Sequence, residues 1–111
     1  MSYVTNLILN LPTLEEPEEK LKEVNEFFEK DDKPGFVLMD STEQNSNWYG
    51  GSKVMECWIA MGGFNHIDLV GLKVYLQSLD WVDRDEVQLL IKDQNDDKWS
   101  IWELDDEAVD N

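Results

Sequence analysis

One histidine, one cysteine and 25 acidic side chains account for most of the chemistry open to this 111-residue chain. His66 follows Gly62-Gly63-Phe64-Asn65. A glycine turn that opens a helix can seat an anion on free backbone N–H groups, with histidine as general base. Here no P-loop lysine follows, GxGxxG is absent, and no nucleophile stands nearby. The plainer reading of His66 is a polar residue in the first turn of a helix. Cys57 lies in the apolar run Val54 to Met61 and reads as a small buried hydrophobe. A lone cysteine excludes an internal disulfide. Asp93, Asn95 and Asp97 fall on the first, third and fifth positions of an EF-hand-like register. Lys98 then replaces the required glycine and Leu104 the required glutamate, so a polar hairpin turn is the better reading. One histidine and one cysteine leave zinc without a ligand set. The expectation is a chain without catalytic residues, metal or cofactor.

The acidic excess is more informative. Against 25 Asp and Glu stand 9 Lys and Arg, a formal net charge of -16. Such charge costs stability through self-repulsion. It also disfavours direct binding to nucleic acid or an anionic membrane, which carry the same sign. The expected partner is a basic protein; solubility or salt adaptation is the bland alternative.

Glu15, Glu19, Glu23 and Glu26 recur at helical spacing and form one stripe. At ~1.5 Å rise per residue, successive members lie about 5–6 Å apart along the axis. That is comparable with phosphate spacing along a nucleic-acid strand. Glu16–Lys20, Glu18–Lys22 and Glu26–Lys30 have the spacing of helix ion pairs and would neutralise part of it. Further acids sit at Asp80, Asp83, Asp85 and Glu86, and again at Asp93, Asp96 and Asp97. If these share a side with the stripe, they make one large negative surface. Trp48 and Tyr49, in a polar glycine-flanked stretch, have the residue types of interface anchors. The candidate partner-binding set is Glu15, Glu19, Glu23, Glu26, Trp48, Tyr49, Asp83 and Asp85.

These residues need a frame. Ser2 to Leu11 reads as a strand ended by Pro12. Thr13 and Glu16 have capping-box spacing, but Pro17 suits the first helical position better. Leu21, Val24 and Phe28 share one helical face, with Leu14 one turn earlier, and the helix stops before Asp31-Asp32-Lys33-Pro34-Gly35. Phe36 to Met39 is a short strand, Asp40 to Lys53 a polar loop, Val54 to Met61 a strand and Gly62-Gly63-Phe64 a turn. Asn65 is placed to cap a second helix that runs to Leu79. Val87 to Lys92 and Lys98 to Leu104 are strands around a turn. The order β-α-β-β-α-β plus one strand predicts an α+β, ferredoxin-like two-layer sandwich with an extra C-terminal strand. Residues 1–104 form one domain, and 105–111 an acidic flexible tail.

In the second helix, Leu69, Leu72, Leu76 and Leu79 make one apolar stripe and Ile67, Val70 and Val74 another. A helix apolar on two sides is covered on both or leaves one for a partner, here a homodimer seam or a target patch. No basic-plus-apolar leader and no run of membrane-spanning length is visible, so a cytoplasmic location is expected.

The runs Met1-Ser2-Tyr3-Val4-Thr5-Asn6, Gly62-Gly63-Phe64-Asn65-His66 and Val87-Gln88-Leu89-Leu90 resemble small acidic proteins of bacteria and their phages. In size and charge the chain is also similar to phage anti-defence proteins that mimic DNA. That similarity implies an inhibitor or decoy docking in a basic nucleic-acid site. An immunity or antitoxin protein that blocks a basic toxin shares the same physics. A small ligand binder or enzyme built on the Gly62–His66 turn remains the alternative from another class.

Overall fold

Leucines at every second position of the first strand decide which face of the sheet is closed. The computed structural model describes residues 3–39 and 55–105. In β1, Val4–Leu11, the side chains of Leu7, Leu9 and Leu11 are almost wholly buried, while Asn6, Ile8 and Asn10 on the other face are half-buried. That is the period-two signature of a strand closed on one side. β1 is followed by α1 (Pro17–Glu29), β2 (Val37–Met39), β3 (Trp58–Asn65), α2 (Leu69–Ser78), β4 (Gln88–Asp93) and β5 (Ser100–Glu103). The strands form one sheet in the order β2-β3-β1-β4-β5, and every neighbouring pair is antiparallel. The architecture is α+β, with two helices and a five-stranded antiparallel sheet. Among the described residues no helix is long and apolar enough to cross a membrane.

Register sorts the side chains. Leu9 sits opposite Ala60 of β3 and Leu89 of β4, and all three are fully buried. They join one core cluster with Leu21, Val24, Phe27 and Phe28 of α1 and Leu72 and Leu76 of α2. Both helices therefore feed the same side of the sheet. Tyr75 ties them together: its hydroxyl donates to the Glu23 carbonyl at 2.6 Å, and its ring lies 5.5 Å from that of Phe27.

Several expectations are corrected here. The strand expected over Val54–Met61 begins at Trp58 and runs on through the glycines to Asn65. Gly62 lies within β3 with the Phe64 ring beside it; an added Cβ would stand 2.8 Å from that ring. Glycine thus serves as space for an aromatic residue within a strand, not as a turn. Asn65 is not the cap of α2. Its side chain accepts from the Tyr3 N–H at 2.9 Å, and Asp68 caps α2 by accepting from Gly71 N–H at 3.0 Å. His66 lies between β3 and α2 with a left-handed φ of 56°, outside the helix. Leu14 is 78% exposed and precedes α1; Phe27 takes its expected place in the core. Cys57 is only half-buried, and Trp99, expected within a strand, precedes β5 and is 44% exposed. The loop expected over 40–53 lies outside the described residues, as does all of the expected tail except Asp105.

Leu9→Ala should lower stability by about 2–5 kcal/mol, since the cavity is walled by two paired strands. Val70→Ala, on the exposed side of α2, should change it by less than ~0.5 kcal/mol. Urea unfolding followed by tryptophan fluorescence reads both, and equal losses would contradict this placement of the core.

Candidate functional site

Two carboxylates fasten the segment before α1 to the segment after α2. Glu15 reaches across to accept from the Val82 N–H at 2.6 Å. Glu86 reaches back and accepts from both the N–H and the hydroxyl of Thr13, at 2.8 and 3.0 Å. Carboxylates bonded to N–H groups are charge-assisted, and these two satisfy backbone donors that no strand or helix pairs. The Thr13 bonds hold the Glu86 carboxyl below its ordinary value, the backbone N–H contributing most. Trp58 Nε1 donates to the Thr13 carbonyl at 3.1 Å, and Asn10 Nδ2 to the Glu86 carbonyl at 2.9 Å. Lys20 Nζ donates to the Asp80 carbonyl and lies 5.0 Å from the Trp81 ring centroid. The N-terminal turn of α1 is thereby pressed against residues 80–86.

This junction brings together acids that are far apart in sequence. Glu16, Glu19 and Glu26 on α1 and its N-cap are exposed, as is Asp85. Glu23 is half-buried and pairs with Lys20 at 2.7 Å. Asp83 is half-buried and accepts from the Asp85 N–H at 3.1 Å, closing the single 3-10 turn Arg84–Glu86. A shallow groove of about 370 Å³ runs along α1, lined by Glu15, Glu16, Glu19, Glu23 and Glu26 with Lys20 and Lys22. Burial first, then the carboxylates of Glu26, Glu23 and Glu29, raise the Tyr75 phenol above its ordinary value.

The positive side chains do less to neutralise this edge than their spacing suggests. Among the described residues, Lys20–Glu23 is the ion pair that forms; Glu16–Lys20, Glu18–Lys22 and Glu26–Lys30 do not. Lys30 lies over the Phe27 ring instead, 4.7 Å from its centroid. Arg84 donates to the carbonyls of Gln77 and Leu79 at 3.1 and 3.2 Å. A guanidinium there satisfies carbonyls at the C-terminal end of α2 and complements its dipole.

The eight expected site residues thus divide. Glu19, Glu23, Glu26, Asp83 and Asp85 lie on the junction or on the helix that rises from it. Glu15 does not belong to an exposed stripe: it precedes the helix, is 9% exposed, and its carboxylate is committed to Val82. Trp48 and Tyr49 lie outside the described residues. The Asp93–Asp97 cluster stands at the opposite end of β1. There Asp93 accepts from the Thr5 hydroxyl at 2.8 Å, and Asp96 accepts from the Asp93 N–H at 3.0 Å. Eight strand residues at ~3.4 Å each put that cluster roughly 25 Å from the junction. Among the described residues, no group of three or more His, Cys, Asp and Glu is placed to hold a metal.

That far end carries a second feature. A cavity of about 350 Å³ is floored by Phe27, Phe28 and Phe64, with the exposed Asp31, Lys33, His66 and Asp68 at its mouth. The Phe28 and Phe64 rings stack at 4.9 Å, and the backbone N–H of His66 donates to the Tyr3 carbonyl at 2.9 Å. The approach of Asp31 and Lys33 to His66 is set by the antiparallel run of α1 over the sheet. No local spacing encodes it.

No protein-family model, curated protein or solved structure matches the chain.

Because the folded Glu86 carboxyl titrates below its ordinary 4.5, its bonds to Thr13 contribute stability above that value. They are lost as pH falls through the lower folded value. Glu86→Gln should therefore be less stable than the parent at neutral pH, and the difference should shrink in acid below pH 4.5. Denaturant midpoints measured over an acid series check this; a gap that widens in acid would contradict it.

Proposed function

We propose that this chain is a non-catalytic acidic binding protein, an inhibitor or decoy that occupies a basic, nucleic-acid-contacting site on a partner protein. The observation that supports this reading is the junction: the crossed Glu15–Val82 and Glu86–Thr13 bonds anchor the start of α1, with its line of glutamates, against the acidic segment 80–86. Asp85 is exposed at the junction, Glu19 and Glu26 are exposed along α1 as it runs away from it, and Glu23 and Asp83 are half-buried. Arginines and lysines that would otherwise grip phosphates can pair with such an array, which also accelerates encounter. The partner is a defence protein that handles nucleic acid or, equally well served by the same charge, a basic toxin. Action in the cytoplasm goes with either. The frame for this edge is of ferredoxin-like type. In its favour is the order β4-β1-β3-β2 within the sheet, with a helix after β1 and another after β3, and β5 added beside β4.

A second reading has one specific observation behind it. The cavity with a phenylalanine floor beneath His66, Asp31 and Asp68 would suit a small ligand with an apolar ring and a polar end. Loss of ligand-induced chemical-shift changes in Phe64→Ala, with partner binding intact, would separate this site from the acidic edge.

The test of the main reading is binding to a panel of nucleases, helicases and basic toxins across a salt series. Affinity should fall steeply as salt rises, and a DNA duplex should compete. The triple variant Glu19→Lys, Glu26→Lys, Asp85→Lys should weaken binding by about tenfold or more, mostly through slower association. Binding indifferent both to salt and to charge reversal would remove the electrostatic reading.

A further inference from the structure

The face of the sheet turned away from the helices has a property the rest of the molecule lacks. Its middle row is Val37, Met61, Ile8, Leu90 and Ile101, one residue from each strand, each paired directly with the next. Met39 and Ile59 extend it by a second pair on β2 and β3. None of these seven joins the core cluster, and Val37 and Ile101 are 69% and 58% exposed. Among the described residues no helix covers this row.

Charge is what makes the row informative. On a chain of net charge -16, the outward-facing strand positions carry one base, Lys92, and one acid, Glu103. The remaining outward positions beside the row are Asn6, Asn10, Gln88 and Gly63. A neutral apolar face on a strongly anionic body is the surface on which a second copy can approach without meeting a carboxylate array.

We infer that the chain forms a homodimer by stacking the open faces of two sheets. A two-fold axis along the Val37–Ile101 row superimposes row on row. It also carries the line of Glu103 onto the line of Lys92, so Lys92 of one copy lies next to Glu103 of the other. Within one chain these two are kept apart, because Glu103 pairs with Gln88, at the opposite end of β4 from Lys92. Packed sheets run nearly aligned about 10 Å apart, a gap that long side chains bridge. Outward positions ~4.8 Å apart across the sheet and ~7 Å apart along each strand, with β2 and β5 reaching only two of the three rows, give a footprint of roughly 420 Å² per copy, or about 850 Å² in all. That is the size of weak, transient association. The exposed valines of α2, Val70 and Val74, form a two-residue patch beside Lys73 and offer much less.

This dimer does not depend on the proposed function, and salt separates the two. Screening relieves repulsion between two anionic bodies, so dimerisation strengthens with salt, whereas docking to a basic partner weakens. Sedimentation equilibrium from about 1 μM to 1 mM protein, at about 20 and 500 mM NaCl, should show mass rising from 13.0 kDa toward twice that, earlier at high salt. Val37→Lys with Ile101→Lys replaces two exposed residues and should weaken the dimer at least tenfold with the thermal midpoint kept. Lys92→Glu or Glu103→Lys alone should weaken it about threefold, and the two together should restore it. A monomer throughout both salt series would overturn the inference. So would a dimer that survives the strand variants but is lost on Val70→Lys with Val74→Lys.

Discussion

β1 is hydrogen-bonded on both flanks, and the alternation of its side chains governs everything laid against it. With Leu7, Leu9 and Leu11 turned one way, the residues paired with them on β3 and β4 must turn the same way, because directly opposed residues share a face. Ala60, Leu89 and Ile91 follow, and the helices cover that side because it is the side from which water must be excluded. The same constraint turns Ile8 outward and aligns it with Met61 and Leu90. A one-residue slip of β1 would exchange the two faces. The dry core and the open apolar row are therefore two consequences of one register.

Acidic side chains serve two purposes here. Glu15, Asp68, Asp83 and Glu86 accept from backbone N–H groups at the ends of helices and connections. Such groups would otherwise be left without partners where the chain turns. These carboxylates are framework. Glu19, Glu26 and Asp85 are exposed. The net charge alone does not distinguish the two uses, and counting all acids as surface overstates what a partner meets. The crossed bonds of Glu15 and Glu86 hold the start of α1 against residues 80–86.

The two ends of the sheet have different characters. One gathers carboxylates around the start of α1. The other gathers Phe27, Phe28 and Phe64 beneath polar groups, with Asp93 and Asp96 on the neighbouring hairpin.

Element types and their order were readable from local pattern: alternation in residues 4–11, helical spacing of Leu21, Val24 and Phe28, and the breaker at Pro34-Gly35. Local sterics and burial determine these without reference to distant residues. The charge, and with it the sign of the expected partner, likewise needs composition alone. What failed were positions where a distant group decides. Gly62 is the exception, a turn signal in a strand where the Phe64 ring, only two residues on, takes the space of a side chain. Asn65 looks like a helix cap until Tyr3 supplies a donor. Glu15 looks like the first member of a surface stripe until Val82 arrives from sixty-seven residues away. Lys20 looks like a partner for Glu16 but pairs with Glu23 and reaches the Asp80 carbonyl, and Lys30 looks like a partner for Glu26 but lies over the Phe27 ring. Each side chain has several local options of similar energy, and only the packed chain presents the partner that selects among them.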